Sequence, residues 1–195
     1  MTWINKTPAK CLAGAVLIAS IALLVDGLSI YLKAQLAQQL IQYAWSETRL
    51  SGQPVKPWPW ADTWPVARLT IANRDLYILQ GADGSALAFG PGWMADSVNP
   101  SQPGAKLIAG HRDTHFSVLE HLQPNDTITL TPQQGQPKQY AIANIKIIDS
   151  SQQPLLVDPD KEQLILITCY PFNAIDPGGP QRYIVNALPR ETLTL

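Results

Sequence analysis

The first apolar positions of the chain come as one nearly unbroken run. Cys11 leads LAGAVLIASIALLV, then Asp26, then GLSIYL up to Lys33. That length is close to the roughly 20 residues a helix needs to cross a bilayer. The following stretch, AQLAQQLIQYAWSETRL, spaces its apolar residues near a helical period and predicts a helical stalk to about Leu50. Gly52, Pro54, Pro57, Pro59 and Pro65 then exclude regular structure. Trp58, Trp60 and Trp64 alternate with those prolines, which predicts a strap whose indoles pack onto the body of the domain.

From Arg68 onward the pattern changes to short apolar runs separated by turn residues. Strands are predicted at 68–72, 75–80, 86–89, 106–109, 126–131, 139–148, 164–169 and 182–187, with a brief helix at 116–122. Eight short strands, one small helix and no long helical crossover predict a mainly β fold, a closed β-barrel. The chain therefore divides into residues 1–32, an N-terminus and transmembrane helix; 33–65, stalk and Pro/Trp-rich strap; and 66–195, the barrel.

Charge changes the picture at two points. Lys6 and Lys10 precede the apolar run, so its N-terminus is expected in the cytoplasm and the barrel on the other side of the membrane. A cleaved signal peptide with Cys11 to Val25 as its apolar core is the competing reading. The lack of a small-x-small cleavage site after Val25 favours a single-pass signal anchor running to Leu32. The net charge is −1 with no basic stripe, which argues against a nucleic-acid partner.

Cys169 ends the run LILITCYPF and is the only cysteine besides Cys11. If the anchor reading holds, the two lie on opposite sides of a membrane and cannot pair. A lone thiol outside the cytoplasm is exposed to oxidation unless it is used. A nucleophilic thiol needs a neighbour that stabilises its thiolate, most often His. Among His111, His115 and His121, His111 follows the strand KLIAG, so adjacent strands would bring it to Cys169 at one barrel end. Arg182 opens the strand after Cys169, across the loop YPFNAIDPGGPQ, where a guanidinium would meet an oxyanion. A metal site at His111 and His115 is not favoured: a strand exit gives no common face, and HExxH is absent. No cofactor signature is present.

These segments carry a family resemblance. LIAGHRDTHF, LILITCYPF and PGGPQRYIV, in that order over about Val66 to Leu188, resemble the sortases, membrane-anchored cysteine transpeptidases. Leu166-Ile167-Thr168-Cys169 matches the last four positions of their TLxTC motif, with Ile165 in place of the leading Thr. The His and Cys segments are most similar to sortases of Gram-negative marine bacteria and to class D and C enzymes. The resemblance implies an eight-stranded barrel, Cys169 as nucleophile, His111 as acid/base and Arg182 as oxyanion or substrate-binding arginine. It implies a protein substrate with an LPxTG-like C-terminal sorting signal, an amine acceptor, and residence in the inner membrane with a periplasmic domain. Thr168 beside the nucleophile, and Pro154, Leu155, Leu156 and Val157 in the preceding loop, are expected to position or line the signal groove. Asp158, Asp160 and Glu162 alternate where some sortases bind calcium, but the partner loop offers only Asp96, so no metal is expected. Asp62-Thr63-Trp64 faintly resembles the lid of pilus-building sortases, with Thr in place of Pro.

Overall fold

A computed structural model describes the backbone at residues 7–175 and 178–190, and the side chains of all of these except 7–9 and 11. Lys6 and the Cys11 side chain therefore lie outside the described residues. Helix α1 (Thr7–Ser51) is continuous through the expected anchor and stalk, with no break at Leu32. The chain divides into two units, one up to Gln39 and one from Leu40 onward. In the first, the helix is long and apolar enough to cross a membrane, and Leu17, Leu24 and Ile30 are among its exposed apolar side chains.

In the second unit the helix changes character. Ile41, Ala44, Trp45 and Thr48 are buried at i, i+3, i+4 and i+7, the stripe of a helix packed on one side. Ile41 joins a cluster with Leu79, Ala86 and Trp58. In the last turn Arg49 donates from Nη1 to the carbonyls of Pro132, Gln133 and Gly135, at 3.0, 3.3 and 3.1 Å. A cation there also suits the negative end of the helix dipole. The strap is held at several points: Trp58 packs edge-on to Phe89, with centroids 5.0 Å apart, and Trp64 rests on the main core. Trp60 is exposed, so two of the three indoles pack as expected.

The barrel comprises β1 (Pro65–Ile71), β2 (Arg74–Gln80), β3 (Gly92–Trp93), β4 (Ala105–Ala109), β5 (Thr127–Pro132), β6 (Lys138–Asp149), β7 (Gln163–Cys169) and β8 (Gln181–Pro189). It closes in the order β1-β2-β3-β4-β7-β8-β6-β5. The β2–β3 and β4–β7 pairs are parallel and the others antiparallel. The expected strand at 86–89 is instead the end of the one-turn helix α2 (Gly84–Leu87) and the turn that follows it. Asp83 decides this: its carboxylate accepts from the Ser85 and Ala86 amides and the Ser85 hydroxyl, capping the turn. The missing strand is β3, two residues long, where Gly92 lies so near the Gly81 carbonyl that a Cβ would clash at 2.1 Å. The brief helix is a 3-10 helix, Ser117–His121.

Strand alternation separates two apolar faces. Leu69, Ile78, Ile108, Leu130, Leu166 and Val185 fill the interior. Ile148, Ile165 and Ile184 form a second cluster, joined by Leu107 and Ile167 and covered by Leu155 and Val157. The two clusters draw on alternate positions of β4, β7 and β8, so the second lies on the outer face of those strands.

The barrel end at the start of β4 and β7 is closed by charge. Lys106 is fully buried and donates from Nζ to Glu162 Oε1 at 2.8 Å and to the Gly104 carbonyl at 2.9 Å. The Tyr140 hydroxyl donates to Glu162 Oε1 at 2.6 Å, and the Gly104 amide to Oε2 at 2.9 Å. Burial alone would raise the Glu162 carboxyl; the hydrogen bonds from Lys106, Tyr140 and Gly104 outweigh it, and the net shift is downward. Burial pulls the Lys106 ammonium below its ordinary range, with Glu162 opposing. A carboxyl held low contributes stability above its ordinary value of 4.5 and loses it as pH falls through the lowered one. Glu162→Gln leaves the buried ammonium without its counter-charge, and is expected to cost about 3 kcal/mol in urea unfolding at pH 7. The difference between the two proteins should shrink as the pH drops below the carboxylate range.

Candidate active site

Cys169 is the last residue of β7 and Arg182 the second of β8, and the two are register partners. The next pair outward is hydrogen-bonded, Tyr170 N to Gln181 O at 3.1 Å. Bonded and non-bonded pairs alternate in an antiparallel ladder, so Cys169 and Arg182 form a non-bonded pair, with Cα atoms about 4.5 Å apart. Opposed residues share a face. Cys169 continues the alternation of Ile165 and Ile167, and Arg182 that of Ile184, so both stand on the outer face.

His111 approaches from the other side of β7. The parallel β4–β7 register ends at Ala109 opposite Ile167, and the Gly110 amide extends it by donating to the Ile167 carbonyl at 3.1 Å. His111 is the next residue, where the chain leaves the strand for a turn. Gly110 is required here, because a Cβ would meet the buried Phe116 ring at 2.7 Å. The turn after it closes through the Phe116 amide, which donates to the His111 carbonyl at 3.0 Å. Burial, and secondarily the charge of His111, lowers His115 below the ordinary imidazole range. His111 and His121 are exposed.

Thr168 faces the interior. It is 2% exposed, and its hydroxyl donates to the Gly110 carbonyl at 2.7 Å. The contact ties the residue before Cys169 to the residue before His111. Arg182 donates from Nη1 to the carbonyls of Gly179 and Gln181, so its own loop orients it. Tyr183 packs with Phe172 and Tyr170 beneath the strand ends, at centroid distances of 5.1 and 6.1 Å. These residues are the register neighbours of the outer-face site, and their interior-facing packing fixes the strands that carry it.

The loop between β6 and β7 crosses the outer face. Leu155 and Val157 pack onto it, while Pro154 and Leu156 are exposed, Leu156 by 86%. A cleft of about 350 Å³ opens beside it, its lining including Asp96, Val98, Ala105, Leu107, Val157 and Pro159. Asp158 accepts from the Asp160 amide and Glu162 is engaged by Lys106, so the three carboxylates do not converge. No cluster of metal-binding side chains occurs among the described residues. The Asp62-Thr63-Trp64 segment is bound to the C-terminal end of β2: Thr63 Oγ1 donates to Gln80 O at 2.7 Å, and Gln80 N to Trp64 O at 2.8 Å. Since β2 runs antiparallel to β4 and β7, that is the barrel end away from Cys169.

A family model described as the sortase domain matches residues 69–190, well over half of the chain. The chain belongs to the sortase family. Sortase D of Bacillus subtilis is 36% identical over 114 residues, covering 58% of this chain and 57% of that protein. The sortase thus spans a little over half the length of this relative. Sortase A from Corynebacterium diphtheriae is similar in structure, with a TM-score of 0.59 and 30% identity over 68% of this chain and 64% of that one. A sortase D5 transpeptidase of Clostridium perfringens has a TM-score of 0.56 over 78% of this chain and 92% of that one; at 23% identity it bears on the fold alone.

Sequence reasoning passed over Arg112. It is 7% exposed and donates from Nη2 to the Ala174 carbonyl at 2.9 Å, linking the His111 turn to the β7–β8 loop. Its one visible signal is adjacency to His111. The Thr168 contact yields a direct test. Thr168→Val strands the buried Gly110 carbonyl and should cost about 1–3 kcal/mol in urea unfolding, whereas Thr168→Ser, which keeps the donor, should cost less.

Proposed function

We propose that this sortase is a membrane-anchored cysteine transpeptidase that cleaves an LPxTG-like C-terminal sorting signal and transfers the acyl group to an amine. The reading is supported by the register: Cys169 and Arg182 are partners across β7–β8, and His111 follows two residues after the end of β4, the parallel neighbour of β7. The Cys169 thiolate attacks the threonyl carbonyl of the signal, and the Arg182 guanidinium stabilises the oxyanion that develops. The His111 imidazolium gives its proton to the departing amine as the C–N bond breaks, leaving a thioester. The neutral imidazole then takes a proton from the incoming amine, which displaces the thiolate and forms the new amide. Arg182 suits its role because loop carbonyls hold Nη1, and a guanidinium has further donors on its other nitrogens.

The outer-face strip gives the signal its place. Leu155 and Val157 form the floor of the crossing loop, exposed Leu156 and Pro154 offer apolar contact for the Leu-Pro part, and Thr168 acts through Gly110. The apolar helix serves as a single-pass anchor in the inner membrane, with the N-terminus in the cytoplasm and the barrel in the periplasm. Residues 1–32 supply the anchor, 33–65 the stalk and strap, and 66–195 the catalytic unit.

The test is a panel of LPxTG-like peptides offered with several amine acceptors, read by mass spectrometry. An acyl adduct on Cys169 and an amine-ligated product are expected. Cys169→Ala and His111→Ala should abolish both while leaving the circular dichroism of the barrel unchanged, and Arg182→Ala should lower kcat by about 100-fold or more. Undiminished cleavage by Cys169→Ala would sink the proposal. Cleavage to free acid alone, whatever amine is present, would make the enzyme a thiol protease.

A further inference from the structure

We infer that Arg112 is a positioning residue for the reaction proposed above: its buried guanidinium ties the turn presenting His111 to the loop that joins Cys169 to Arg182. The inference rests on the transpeptidase reading for its kinetic part only. Burying a guanidinium is costly unless its donors are satisfied, so its location reflects the contacts it makes. Arg112 is 7% exposed, and one of those contacts is the 2.9 Å bond from Nη2 to Ala174 O. Ala174 closes the turn that begins at Pro171, its amide donating to the Pro171 carbonyl at 3.3 Å. Pro171 is two residues past Cys169, so Arg112 grips the first turn of the loop immediately beyond the thiol.

The loop is fixed at its ends by other means. Tyr170 is held by the β-ladder, and the far end by Arg182 bonding to Gly179 and Gln181. Between them Ile175 is 97% exposed. Arg112 thus supplies a cross-link between the histidine side and the cysteine–arginine side of the site, distinct from the Thr168–Gly110 bond within the barrel wall. A planar fork with five donors spread over three nitrogens holds partners in fixed directions, whereas a lysine's donors all radiate from one flexible nitrogen. The reacting groups depend on such supports, because a displacement of about 1 Å costs on the order of 100-fold in rate.

Arg112→Met and Arg112→Lys in the full-length chain, purified in detergent, separate the possibilities. Amide exchange at residues 172–175 should rise at least tenfold in Arg112→Met while β4 and β7 keep their protection. With the peptide and amine used above, kcat should fall about tenfold or more with KM within about twofold. Arg112→Lys should recover part of both effects. Unchanged exchange at 172–175, or a fall in kcat that merely follows lost protection in β7, overturns the inference. Should Arg112→Met fail to fold, Arg112→Lys decides: raised exchange confined to 172–175 supports the tether and wild-type exchange refutes it. A wild-type chain that forms no Cys169 adduct defeats the transpeptidase reading, whereas the exchange measurement judges the tether independently.

Discussion

The pairing of β7 with β8 is the constraint on which the rest depends. Its register puts Cys169 opposite Arg182 and Thr168 opposite Tyr183, so outward positions carry candidate chemistry and inward ones carry packing. A slip of one residue would turn the thiol into the barrel and expose the threonine. The slip is opposed from both faces. Inside, Leu164, Leu166, Val185 and Ala187 belong to the main core; outside, Ile165 and Ile184 lie under the crossing loop. At roughly 1.5–3 kcal/mol for each large aliphatic side chain buried, reversing these positions would forfeit much of the folding free energy.

The two barrel ends differ in physical character. At one, the Lys106–Glu162–Tyr140 network uses opposite charges within hydrogen-bond reach to close a polar plug. Removing one partner is costly, so the end is held rigid by mutual need. At the other end, the turn at His111 and the loop after Cys169 are held by hydrogen bonds to backbone carbonyls and by the packing of Tyr170, Phe172 and Tyr183. The strap and the end of α1 bind near the plugged end, at Gln80 and at the β5–β6 turn.

Much of the barrel was legible because seven of its strands have alternation long enough to read. Cys169 and Arg182 lie at the ends of β7 and β8, and His111 two residues past β4, close to where the strand pattern put them. The failures have specific causes. Ala86 to Phe89 looked like a strand by its apolar content, but Asp83 two residues before Ser85 satisfies the amides of a helical turn. Gly92–Trp93 is too short to show any period. Glu162 read as one of three alternating acids; its parity with Leu164 points it inward, toward a lysine 56 residues earlier in the chain. Arg112 bonds a backbone carbonyl 62 residues away, and a carbonyl leaves no side-chain signature.

The parallel pairing of β4 with β7 has a consequence for how the site comes into being. Cys169 and Arg182 belong to a hairpin, whose closure costs little chain entropy. His111 reaches them only through a contact that encloses β5, β6 and both their connections, and such long closures are the slow ones. Thiol and guanidinium can therefore meet on a local unit, while the imidazole arrives with closure of the barrel. Topology alone delays assembly of the candidate site until the chain has folded.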